Sequence, residues 1–225
     1  MKRNTNSGIL LCSKGLFCFL FIASVLVAQA QERKTVRLGL NYGVGSQSIF
    51  PFNSPNYLYD NKYLKMQINY LLQQKSKWIF ELNIEPSYYE CRHQLLNMYY
   101  VQPHFGADYI DQRAKFTQLI TFNEYALNIG LISRRYILTN LSIYFLESIG
   151  PMIGDQGTER LRKGFAFSDI FAFGTSYKIK RIQFDLRLSL RHTSNAGLYF
   201  PNYGHNSSCI EGGCSLELGG FKSRK

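Results

Sequence analysis

The chain has 225 residues, with 26 Lys and Arg against 15 Asp and Glu, a formal charge of +11 and a mean hydropathy of −0.18. Charged residues at 18 % and apolar residues at 45 % exclude a disordered tail and a coiled coil, and five Cys are too few for a disulfide scaffold. The unusual feature is 17 Phe and 16 Tyr in a chain that is hydrophilic on average, where a helical membrane protein would have a mean hydropathy well above zero.

Lys2, Arg3 and Lys14 precede an apolar run over residues 15–27, and Ala28, Gln29 and Ala30 follow. This order of basic, apolar and small residues predicts a secretory signal peptide over residues 1–30, cleaved before Gln31. The run is shorter than the roughly 20 apolar residues that a spanning helix needs. Removing 30 of 225 residues leaves 195. The three lost basic residues are unopposed, so the charge falls from +11 to +8. Cys91, Cys209 and Cys214 remain, an odd number that allows one bridge at most, with Cys209 and Cys214 as its expected pair.

The mature chain alternates with period two. The rows are Val36, Leu38, Leu40, Tyr42 and Val44; then Leu64, Met66, Ile68, Tyr70 and Leu72; then Trp78, Phe80, Leu82 and Ile84; then Tyr125, Leu127, Ile129 and Leu131. Leu141, Ile143 and Phe145 begin a fifth, and Phe165, Phe167, Phe171 and Phe173 mark a sixth. Ile182, Phe184, Leu186, Leu188 and Leu190 form a seventh, and Ile210, Cys214, Leu216 and Leu218 an eighth. Short connections are expected at residues 73–76, 133–135 and 178–181, and long ones at about 46–60, 90–120, 150–163 and 195–205.

Strict alternation of short and long connections between an even number of strands is the habit of outer-membrane barrels. The positions between the apolar ones are Arg37, Asn41, Gln67, Asn69, Glu81, Asn83, Asp185 and Arg187, which suit a polar lumen. Tyr, Phe and Trp crowd the segment ends as an aromatic girdle would. The expectation is an all-β protein, an eight-stranded antiparallel transmembrane β-barrel forming a single domain over residues 31–225. A soluble lipid-binding barrel is the alternative, with the same alternation turned inside out.

The stretch RHTSNAGLYFPNYGHN, residues 191–206, is too particular to be scaffold. Continuing the seventh row by steps of two reaches His192 and Ser194. An imidazole and a hydroxyl therefore share the lipid-facing side near a long loop, where polar groups are costly and mark function. Followed by S-N-A-G-L and P-N-x-G, this arrangement resembles the lipid A deacylase family of outer-membrane enzymes, also called the PagL or acyloxyacyl hydrolase family. That resemblance implies an eight-stranded barrel hydrolysing a fatty acyl ester of lipid A through a Ser-His-Glu triad on its exterior. It implies Ser194 as nucleophile, His192 as general base and Asn195 as an oxyanion-hole contributor, with Asn202 a weaker candidate for that role.

The third triad position falls on Asn206, not on an acid. Glu211 is the nearest carboxylate, but its parity directs it into the lumen. An Asn can orient an imidazole, as in Cys-His-Asn proteases, without stabilising the imidazolium by charge. A Ser-His-Asn site should thus be slower, and the alternative is an inactive or structural small barrel.

The expected outer loops also hold Arg92, Arg113, Lys115, Arg160, Arg162 and Lys163; of these Arg160, Arg162 and Lys163 are weak candidates for the lipid A phosphates. The expected partners are lipid A or lipopolysaccharide and the outer membrane, with nucleic acid excluded by export and homodimerisation left open. No cofactor or metal is expected: His93, His104 and His205 are assigned to separate loops without ligand spacing.

Overall fold

The computed structural model describes residues 35–218. The expected signal peptide and the basic tail at Lys222, Arg224 and Lys225 lie outside the described residues. Eight antiparallel strands close into a barrel in chain order: β1 (Val36–Ser46), β2 (Tyr57–Lys75), β3 (Trp78–Leu95), β4 (Ile120–Tyr136), β5 (Leu141–Gly154), β6 (Gly164–Ile179), β7 (Ile182–Ser194) and β8 (His205–Leu218). The barrel shuts by pairing β1 with β8, from Val36 opposite Leu218 to Ser46 opposite Ser208.

Each strand forms because its period-two pattern satisfies two environments at once. On β7, Leu188 is 58 % exposed and its neighbour Arg187 only 1 %. The apolar row therefore faces out and the polar row faces in, the reverse of a soluble carrier. Leu38, Leu40, Met66, Leu127, Phe173, Leu186 and Ile210 extend this apolar exterior around the barrel. The molecule is a transmembrane β-barrel.

The inward row carries a network of buried ion pairs beside clusters of buried Tyr and apolar side chains. Arg187 contacts Glu85 and Glu211 at 2.9 Å each, and Lys65 reaches Glu211 at 2.8 Å. Arg37 and Arg134 share Glu81, and Arg191 pairs with Glu124 at 2.8 Å. Glu211 thus points into the lumen, as its parity requires. Buried charges persist when paired in this way.

Several strands run further than their apolar rows. β2 begins at Tyr57 and β3 continues to Leu95, so the first two long loops are shorter than expected. The extensions are held by ladder bonds and by outward ion pairs, Lys62 with Glu90 and Asp60 with Arg92. Charges replace the apolar residues there because the wall has left the hydrocarbon. The β4–β5 turn likewise lies at residues 137–140 and not at 133–135, since Arg134 stays in β4 to reach Glu81.

Cys209 and Cys214 form no bridge; both are free thiols. Five residues apart is an odd step, so Cys209 is buried inward and Cys214 faces out.

Candidate active site

The stretch 191–206 spans the end of β7, the fourth long loop and the start of β8. His192 lies opposite Asn206 on β8 and Asp169 on β6, while Ser194 lies opposite Phe167. Arg191 and Thr193, which flank His192, are buried inward. His192, Ser194, Asn206 and Asp169 therefore share one patch of the outer wall, each half-buried. The sequence-predicted nucleophile, base and third member are brought together.

His192 Nδ1 lies 2.7 Å from Asn206 Oδ1. An amide oxygen can only accept, so Nδ1 carries the proton and Nε2 presents a lone pair. That is the tautomer a general base needs. Ser194 is the next residue on the same face, and its hydroxyl makes no hydrogen bond among the described residues, leaving it open to attack a substrate. Nucleophile–base contacts are often loose without substrate.

The two asparagines have different surroundings. The Asn195 side chain is fully buried and engaged at both ends: Nδ2 donates to the Tyr199 and Pro201 carbonyls, and Oδ1 accepts from the Gly197 N–H. It ties the loop together. Asn202 accepts the Asn195 N–H at 2.7 Å through Oδ1, so its amide nitrogen is the uncommitted donor. Asn202 is thus better equipped than Asn195 to meet an oxyanion, the reverse of the order read from the sequence.

Gly204 sets the approach of the loop to the site. Its φ is +68°, and a Cβ there would sit 2.2 Å from the Thr193 carbonyl oxygen and 3.1 Å from His192 Cε1. Only glycine fits.

The second and third long loops buttress this one. Arg160 donates through Nε to the Gly204 carbonyl at 2.7 Å, reaches the Tyr203 carbonyl and Tyr100 hydroxyl, and covers the Tyr57 ring. Leu161 bridges to Asn202. In the second long loop, two short 3-10 turns (Met98–Tyr100 and Pro103–Phe105) and α1 (Tyr109–Phe116) present Phe105 to Phe200 and Tyr203. Arg160 is accordingly a clamp, whereas Arg162 and Lys163 are exposed just above β6. Arg113 is held by the Val101 carbonyl and Arg92 by Asp60.

His93 and His205 belong to strands β3 and β8, not to separate loops. Their buried rings lie 5.2 Å apart, with His93 Nε2 at 2.8 Å from Glu159. Among the described residues no group of three or more His, Cys, Asp or Glu is arranged to hold a metal ion.

Asp169 is a site residue that the motif at 191–206 does not reveal. The signal was present: the outward row Phe165, Phe167, Phe171, Phe173 has a gap at 169, filled by a carboxylate on a lipid-facing position. Below the patch, a trough on the outer wall is lined by Phe171, Phe173, Leu188, Leu190, Ser208 and Ile210. Ser208 ties the first long loop over its rim by donating to the Phe50 carbonyl at 2.7 Å.

The fold defines an outer-membrane-type β-barrel, with a hydroxyl, an imidazole, an amide and a carboxylate gathered on its lipid-facing side. The model of the lipid A 3-O-deacylase family, PagL, matches residues 125–213, a span containing all four residues of the patch. Among solved structures, the outer-membrane enzyme PagL superposes with a TM-score of 0.54 at 14 % identity, covering 79 % of this chain and 97 % of that one. Neisserial surface protein A gives 0.44 at 12 % identity, covering 82 % and 97 %, and a designed transmembrane β-barrel gives 0.40 at 8 %, covering 84 % and 100 %. No curated protein sequence matches. The resemblance to the lipid A deacylase family is borne out.

Proposed function

We propose that the protein is an outer-membrane esterase that removes a fatty acyl chain from lipid A. The observation that carries this reading is the His192 Nδ1–Asn206 Oδ1 bond of 2.7 Å on the lipid-facing wall, with Ser194 next on the same face. The family match over residues 125–213 supports the substrate class. Export by cleavage after Ala30 and a single domain over residues 31–225 belong to the same proposal.

In the reaction, His192 Nε2 takes the Ser194 proton as Oγ attacks the ester carbonyl. The Asn202 amide donates to the oxyanion, and the alcohol departs with the proton from His192. Water then attacks the acyl-serine, His192 again acting as base, and the fatty acid is released. The stretch of the trough lined by Phe171, Phe173, Leu188 and Leu190 suits an acyl chain. Arg162 and Lys163, exposed above β6, suit a sugar phosphate.

Asn206 supports a second reading, an inactive or structural barrel, because an amide supplies no charge to the imidazolium. Lipid A mass profiles of cells with and without the protein decide between them. Loss of one acyl chain, abolished by Ser194→Ala, is the expected result. An unchanged profile with the barrel folded in the membrane overturns the esterase reading.

A further inference from the structure

Asp169 is a carboxylate in the wrong place for structure alone. It stands in the outward row of β6, between Phe167 and Phe171, with Ile149 opposite on β5. An ionisable side chain on the lipid-facing wall is expensive and calls for a partner. Yet its Oδ1 is shielded from solvent and accepts no hydrogen bond. The group opposite it on β7 is His192. Directly paired residues in an antiparallel ladder place their Cβ atoms about 5 Å apart. His192 thus stands between two side chains, Asn206 on β8, which binds Nδ1, and Asp169 on β6.

This division matters because the third member of a Ser-His-acid triad does two things: it fixes the imidazole tautomer, and it stabilises the imidazolium that forms. Asn206 does the first and lacks the charge for the second. Resting on the esterase reading above, we infer that Asp169 is the electrostatic positioning residue of the site, supplying from β6 the negative charge that Asn206 omits. The two functions of one acid are divided between two strands flanking the base. In this role Asp169 acts as a carboxylate and is not itself a proton acceptor in the cycle. His192 receives the Ser194 proton and returns it to the leaving alcohol.

The test uses the folded full-length barrel in detergent micelles, with folding checked by heat-modifiable migration. Two readouts are taken: fatty acid release from lipid A, and labelling of Ser194 by a fluorophosphonate. A unit charge near the imidazolium in a medium of intermediate dielectric predicts a loss of kcat of about 10- to 100-fold for Asp169→Asn, with KM nearly unchanged. Asp169→Asn combined with Asn206→Glu should recover most of that loss, since the charge returns from the other flank. Glu147→Gln, which removes another exposed outward carboxylate opposite Phe171, should leave the rate unchanged.

A wild-type kcat in Asp169→Asn, or a loss that Asn206→Glu fails to repair, overturns the role of Asp169 and leaves the esterase reading standing. If lipid A is untouched but Ser194 labelling slows in Asp169→Asn, the lipid A reading fails and the role of Asp169 stands. Neither release nor labelling in the unaltered protein overturns both.

Discussion

At the scale of single residues, the bond between His192 and Asn206 shows how much an amide can replace. It selects the tautomer by hydrogen bonding, which needs no charge. With Asp169 in place, replacing Asn206 by Glu adds a second negative charge beside the imidazolium, so acyl release should accelerate by less than it does in the Asp169→Asn background, whereas Asn206→Ala should slow it about tenfold or more as the tautomer is lost; kcat for lipid A hydrolysis reads both. Gly204→Ala introduces a Cβ against the Thr193 carbonyl and the His192 ring and forces an unfavourable φ. It should lower kcat by an order of magnitude or more while the barrel still migrates as folded, because the strain falls on the loop and base.

Parity made His192 and Ser194 legible in the sequence, since residues two apart on a strand share a face, and Asn206 came from the family resemblance. Asp169 escaped that reading because it is 23 positions before His192 in the chain, and only the β6–β7 register brings them opposite. The different duties of Asn195 and Asn202 escaped it as well. Which of two loop amides is engaged depends on the turn, not on residue type.

At the scale of elements, all eight expected strands form, each longer than or displaced from its apolar row. The apolar row records where the lipid lies. Pairing continues beyond it wherever a neighbouring strand offers a ladder. β2 and β3 climb together in this way, with Lys62–Glu90 and Asp60–Arg92 on their outer side.

The second and third long loops both pack against the loop 195–204, the second through Phe105 and the third through Arg160. Arg160 joins the third loop to the fourth through Gly204 and Tyr203. Arg160→Ala should therefore reduce kcat/KM about tenfold through a less ordered site, with little change in barrel stability; steady-state kinetics beside thermal unfolding separate the two effects. A phosphate-binding role predicts something different for Arg162 and Lys163. Their replacement by Gln should raise KM for phosphorylated lipid A and leave kcat unchanged.

At the scale of the whole molecule, the barrel inverts the usual arrangement of a folded protein. Its exterior is the apolar phase and its interior an ionic lattice in which Lys65, Arg187, Glu85 and Glu211 hold one another. Glu211→Ala leaves two buried cations short of a partner and should destabilise the barrel by about 3–5 kcal/mol, seen as a lower urea midpoint for unfolding from vesicles. On the opposite face, Leu188→Arg places a charge in hydrocarbon and should cost about 2–4 kcal/mol in the same measurement. A soluble barrel would tolerate the second change.

The aromatic-rich yet hydrophilic composition follows from this inversion, because the outward half of each strand is largely apolar and the inward half carries most of the polar side chains. The sequence by itself determined the strand number, the alternation of short and long connections, the lipid-facing side and the placing of His192 and Ser194 on one face. All of these are local, set by a period of two and by chain spacing. Only the tertiary structure decided that Arg160 is a clamp, that Cys209 and Cys214 face opposite ways without a bridge, and that Asp169 stands beside His192. Contacts across a closed sheet depend on register, and register emerges when the strands pair.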